Sequence, residues 1–157
     1  MNGKKVSESH LEMAQLMAPQ DVNMAGNVHG GVIMKLIDTI GGAVAVRHTR
    51  TNMVTASIDR LDFHYPIYIG DLVTLKASVN LVGRTSMEVG VFVESENLMT
   101  GEVRNTASAY LIYVALSKDG KPIPIPPLIV ETPEEVRRNR EAQVRRDIRL
   151  REKNNRK

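Results

Sequence analysis

The chain has 157 residues, of which 42% are hydrophobic, 25% charged and 4% aromatic. That is enough apolar material for one folded core and too much for wholesale disorder. There is no Cys and no Trp, which excludes disulfides, thiolate metal sites, iron–sulfur clusters and a Cys nucleophile, and disfavours a nucleic-acid reader that works by base stacking. The net charge of +3 is unevenly placed: residues 131–157 hold ten Lys/Arg and six Asp/Glu, and residues 1–130 hold 11 basic and 12 acidic side chains. A nucleic-acid reading therefore rests on the tail alone, without a basic stripe on a fold, and is set aside. Met1 to Lys5 leads into polar sequence with no signal-peptide apolar region, and no apolar run is long enough to span a bilayer, so a cytoplasmic protein with no membrane association is expected.

In chain order, residues 1–9 read as a weakly ordered start. His10 to Met17 is a short apolar stretch, strand or helix, stopped by Pro19. Gln20 to Gly31 is a loop rich in Asn and Gly. Val32 to His48 is a helix with almost no polar face, its exceptions Lys35, Asp38 and Thr39 falling on one side. Such a helix is expected to be buried on most sides, and Gly41-Gly42 within it costs about 1 kcal/mol per Gly in propensity, a sign of close packing by another backbone. The period then becomes two. Val54–Tyr65, Val73–Leu81, Met87–Val93 and Ala107–Ala115 read as strands with one buried face, with turns at Gly83-Arg84 and Asn97–Gly101. Lys121–Pro127 is extended by its prolines. Thr132 as N-cap, Pro133 at the first helical position and Glu134-Glu135 in the first turn open a charged helix running to about Arg151. The expected organisation is a 1–130 domain followed by a charged 131–157 helix. The fold class is α+β, one helix embedded in a curved antiparallel sheet, with dimerisation through an exposed edge.

The segment Gly26-Asn27-Val28-His29-Gly30-Gly31 leads into the buried helix. Two glycines at a helix start let a ligand approach the backbone, and the unpaired N–H groups there can polarise a carbonyl. Asn27 can hold a water or a carbonyl. Asp38, two turns into an apolar helix, is costly unless partnered, and reads as a general base or nucleophile, or as an ion-pair partner of Lys35 or of an Arg from another chain. Asp38 stands about 12 Å along the axis from Gly30, too far for one carbonyl to touch both, so a shared reaction implies two subunits. Arg84, at a turn, has the fork geometry suited to phosphate. Neither an HExxH spacing, a Gly-x-Ser-x-Gly elbow nor a nucleotide-binding fingerprint is present, so no metal is expected and no site for a nucleotide cofactor is read.

Asn27-Val28-His29-Gly30-Gly31 with Met34-Lys35-Leu36-Ile37-Asp38, together with Val54-Thr55-Ala56-Ser57-Ile58-Asp59, Phe63, Ser86-Met87-Glu88 and Ala107-Ser108-Ala109-Tyr110, resembles the hotdog-fold acyl-CoA thioesterases. The resemblance is to the brain-type cytosolic acyl-CoA hydrolase group and its single-domain bacterial relatives, and runs from about Met13 to Leu128. It implies an antiparallel sheet wrapped round a central helix, double-hotdog dimers and often trimers of dimers. It also implies an interface site with Asn27 from one protomer and Asp38 from the other. The expected substrate is an acyl-CoA, hydrolysed to a fatty acid and coenzyme A, with His29, Gly30, Gly31, Arg84 and Ser86 as substrate-binding residues. A non-catalytic acyl-CoA-binding hotdog protein is the competing reading. The C-terminal helix reads as a solvated charged helix, as a subunit contact or as a contact to coenzyme A phosphates.

Overall fold

The computed structural model describes residues 1–156. Five strands form an antiparallel sheet in the order β2-β4-β5-β6-β3: β2 (Leu11–Leu16), β3 (Met53–Phe63), β4 (Leu72–Val82), β5 (Ser86–Glu96) and β6 (Val103–Ala115). The central helix α1 (Gly30–Thr49) lies on one face, and a second helix α2 (Pro133–Asn155) follows the sheet. A minor parallel pair, β1 (Lys4–Lys5) with β7 (Leu128–Ile129), ties the N-terminus to the segment after the prolines. The expected α+β arrangement is the one observed, and the ambiguous His10–Met17 stretch is a strand because it pairs with β4 from Leu11↔Ala77 to Leu16↔Leu72.

The two-residue period sets the core. Val73, Leu75, Ala77 and Val79 of β4, Met87, Val89, Val91 and Val93 of β5 and Ala107, Ala109 and Leu111 of β6 are buried with Ile33, Ile37, Ile40 and Val44 of α1. Burying aliphatic side chains on one face of each element is what drives this layer together.

Two expectations need amendment. The helix is not covered on most sides: Met34, Lys35, Thr39, Ala43 and Val46 are exposed, an apolar-rich face left without a partner inside one chain. The strand beside that face, β3, is an edge strand whose Val54, Ile58 and Phe63 are exposed as well. An apolar run on a free edge is a pairing surface.

The second concerns α2. It begins as expected, with Thr132 Oγ1 accepting from the Glu135 N–H at 3.1 Å and Pro133 in the first turn. It is not a freely solvated helix, however. It lies across the sheet face opposite α1, because that face carries buried polar groups that need partners. Glu88, 1% exposed, alternates with core residues Met87 and Val89 and so points away from α1. Arg145 meets it with two bonds, Nε to Oε1 at 2.9 Å and Nη2 to Oε2 at 2.8 Å. Asn80 donates to the same carboxylate, and Asn139 donates to the Asn80 carbonyl.

Candidate active site

α1 starts at Gly30 with no side chain capping it, since His29 at the N-cap position makes no side-chain cap bond. The His29 N–H instead donates to the Asp21 carbonyl at 2.9 Å, and the Val28 N–H donates to the Ile67 carbonyl at 2.7 Å. The Val28 bond holds the loop against the segment after β3, and the His29 bond closes the loop on itself. The helix start thus opens on a cleft of about 410 Å³ whose lining includes Asn23, Asn27, Gly30, Ile33, Phe63 and His64. A Cβ on Gly31 would meet nothing within 4 Å, and one on Gly30 would touch only the Phe63 ring at 3.7 Å. Packing within the chain therefore does not require these glycines, whereas a ligand or second chain approaching the backbone would.

Asn23 was not singled out by sequence reasoning, yet it organises the cleft. Its Oδ1 accepts from the Ala25 N–H at 3.0 Å and the Asn27 N–H at 3.1 Å. With its oxygen so occupied, the amide orientation is fixed and its NH₂ is the free end, a donor on the wall of the cleft. Asn27 forms a bridge with Tyr68 and lines the same cleft. The legible signal was an Asn that precedes a Gly-containing loop and can bond the backbone two to four residues on.

Asp38 is elsewhere. Half-buried on α1, its Oδ1 accepts from Thr55 Oγ1 at 2.8 Å and from the Tyr113 hydroxyl at 2.9 Å. The alternative of an ion pair with Lys35 is not what the structure contains: among the described residues no ion pair involves Asp38. Tyr113 explains one of the two costly glycines: a Cβ on Gly41 would lie 2.5 Å from its hydroxyl oxygen, whereas one on Gly42 would make only an ordinary contact with the ring at 3.8 Å. The close approach anticipated there is made by a side chain, not by another backbone.

One chain thus brings Asn27 and Gly30 together in the cleft and places Asp38 further along the same helix; His29 and Gly31, on either side of Gly30 in the chain, are exposed and are not among the residues that line the cleft. Arg84 and Ser86 lie at the β4–β5 turn, outside that cleft. Arg84 is exposed, and its carbonyl accepts from the Ile125 N–H. No group of three or more His, Cys, Asp or Glu placed to hold a metal occurs among the described residues.

The Thioesterase superfamily matches residues 25–102. The chain is 39% identical over 142 residues to a rat protein named cytosolic acyl coenzyme A thioester hydrolase, covering 89% of this chain and 37% of the rat protein. It therefore spans little more than a third of that relative. It is 43% identical over 129 residues to an uncharacterised acyl-CoA thioester hydrolase of Bacillus subtilis, covering 82% of this chain and 75% of the other. Among solved structures, an apo-hexameric acyl-CoA thioesterase superposes with a TM-score of 0.93 at 38% identity, covering 97% of each chain. An acyl-CoA hydrolase of Staphylococcus aureus, solved with butyryl coenzyme A and coenzyme A, superposes with a TM-score of 0.89 at 33% identity over 96% of this chain and 92% of the other. Alanine variants of an aspartate, a threonine and an asparagine of that enzyme have also been solved. The aspartate and threonine are 17 positions apart and the asparagine precedes the aspartate by 15, the spacings that here separate Asp38 from Thr55 and Asn23 from Asp38.

Proposed function

The chain belongs to the thioesterase superfamily, and from that premise we propose that it is an acyl-CoA thioester hydrolase. Water's oxygen bonds to the acyl carbon, the carbon–sulfur bond breaks, and the proton leaves with the coenzyme A sulfur, giving a free fatty acid and a thiol. A thioester is already activated, so the reaction as proposed uses no cofactor. In the proposed site the N–H groups of Gly30 and Gly31 polarise the thioester carbonyl at the positive end of α1, as an oxyanion hole does. Asn23, through its oriented NH₂, and Asn27 hold the carbonyl or the water. Asp38 removes a proton from the attacking water, or attacks the carbonyl itself and is released by water. His29 and Ser86 are proposed substrate contacts, and Arg84 a contact to the coenzyme A phosphates.

The observation that carries this reading is how α1 runs beside the free edge strand. Its start packs on Phe63, at one end of β3, and its Asp38 is bonded to Thr55, near the other end. A second copy pairing antiparallel with β3 about the strand's midpoint sets Phe63 of one chain close to Thr55 of the partner subunit. The cleft of one protomer then meets the partner's Asp38, which resolves the separation of about 12 Å within a single helix. The same pairing covers Val54, Ile58 and the exposed face of α1. We therefore propose a homo-oligomer built from such dimers, of which a trimer of dimers is one form. A cytoplasmic location is part of the proposal and is supported by the cytosolic name of the rat relative. Among the described residues no helix is long and apolar enough to cross a membrane.

Thiol release from short, medium and long acyl-CoAs tests the reading. Turnover that disappears in a folded Asp38→Asn variant is the expected result. Binding of acyl-CoA without turnover by the wild-type protein would establish the non-catalytic alternative instead.

A further inference from the structure

We propose that Tyr113 is a positioning residue for the reaction, acting with Thr55 to pin Oδ1 of Asp38 so that Oδ2 is the oxygen that meets the substrate or water. The inference rests on the role proposed for Asp38 and adds the group that sets its geometry.

The two side-chain donors that reach Asp38 converge on one oxygen. Thr55 Oγ1 stands 2.8 Å from Oδ1 and the Tyr113 hydroxyl 2.9 Å from it, with the Asp38 carbonyl also 3.1 Å from that hydroxyl. Among the described residues none donates to Oδ2, and Oδ2 is not among the buried polar atoms left without a partner. It is therefore the open end of the carboxylate. Two donors on one oxygen and the main-chain contact fix the side-chain rotation of Asp38, and a fixed geometry is what a catalytic carboxylate requires.

Tyr113 is suited to hold that geometry. It comes from β6, an interior strand of the sheet next to the edge strand β3, and is buried, 1% exposed. Its ring sits where Gly41 leaves room, so the sheet reaches the helix backbone next to the carboxylate it serves. Burial, and then the charge of Asp38, push its ionisation well above the ordinary tyrosine range, so the hydroxyl keeps its proton and remains a donor.

Tyr113→Phe removes a single oxygen and keeps the ring. The expected result is a kcat for acyl-CoA hydrolysis lower by about tenfold or more, the change associated with losing a hydrogen bond to a charged group, with KM within about twofold. The folded oligomer is retained on size exclusion. Gly41→Ala drives a methyl toward the hydroxyl and is expected to lower kcat in the same way. In a Tyr113→Phe background it adds little further loss, because both changes break the same contact. A folded Tyr113→Phe or Gly41→Ala enzyme with wild-type kcat overturns the proposal, as do fully additive losses, whatever the change in melting temperature. Should Tyr113→Phe fail to assemble, Gly41→Ala alone decides by the same kcat and KM readout. Asp38→Asn is the control: if it retains activity, the role given to Asp38 fails, whereas an inactive Asp38→Asn beside an unaffected Tyr113→Phe removes Tyr113 alone.

Discussion

Thr55 Oγ1 donates to Asp38 Oδ1 across 2.8 Å and so ties the middle of the central helix to the free edge of the sheet. The bond couples two features that one chain leaves incomplete: a carboxylate with one open oxygen and a strand with one open edge. Thr55→Val preserves the shape and β propensity of the residue while removing the donor. We expect kcat to fall by about tenfold, less than the loss of at least about 10²-fold for Asp38→Asn. Steady-state thiol release with circular dichroism as a folding control checks both.

Asn23 and Asn27 are separable by one substitution each. Asn23→Asp keeps an oxygen to accept from the Ala25 and Asn27 N–H groups and loses the NH₂. It is expected to cost about 10²-fold in kcat with the loop intact, the scale of removing one oriented donor from a charge-stabilising site. Asn27→Ala removes a side chain that makes no hydrogen bond among the described residues and is expected to cost less. Equal losses would give the two asparagines comparable roles.

The sheet, the helix and the candidate carboxylate were legible because each depends on a local pattern. The alternation through Val73, Leu75 and Ala77 sets a buried face, and an Asp on an apolar helix is costly wherever it lies. Thr55, Tyr113 and Asn23 were not legible as a set. Thr55 and Tyr113 reach Asp38 only because β3 pairs with β6 in the register Thr55↔Tyr113, a non-local choice that no window of sequence contains. The docking of α2 escaped for a similar reason. Its arginines look solvated until the buried face of Glu88 is known to lie beneath them.

That docking has a stability consequence. Arg145, whose side chain is 19% exposed, lies with its guanidinium carbon 3.6 Å from the Tyr110 ring centroid and grips Glu88 with two bonds. Arg145→Ala strands most of a buried carboxylate, with Arg149 still 3.7 Å away as partial compensation. We expect a loss of about 2 kcal/mol in urea unfolding, less than the roughly 3–5 kcal/mol for stranding a buried charge outright, because Asn80 still donates to the carboxylate and Arg149 stays close. The paired change Arg145→Met with Glu88→Met should cost less than the single one, because no charge is left behind.

His48 predicts a pH dependence. It is fully buried on α1, with Nε2 2.8 Å from the Pro126 carbonyl and Nδ1 without a partner among the described residues. Burial lowers its pKa from the ordinary 6.5, outweighing the opposing effect of the Pro126 bond. The unfolded chain then binds a proton below about 6.5 that the folded chain refuses, so stability decreases as pH falls through that value toward the lower folded pKa. His48→Gln keeps a donor for Pro126 and removes the titration. Melting temperatures at pH 7.5 and pH 5.5 should differ less in the variant than in the wild type, and an unchanged difference would assign the pH dependence to other groups.

The most direct test of a hydrolase site shared between two chains is complementation between variants inactive for different reasons. Asn23→Asp and Asp38→Asn are each expected to be nearly inactive when every subunit carries the same change. Co-expressed with distinguishable tags, they form mixed dimers in which one site carries both lesions and the other carries none. Random pairing makes half the dimers mixed, each with one intact site of two, so thiol release should recover to about a quarter of wild type. Recovery at that level, rising to about half for purified mixed dimers, is the predicted result. Mixed dimers verified by native mass spectrometry that stay inactive would contradict the account and place the whole site within one chain.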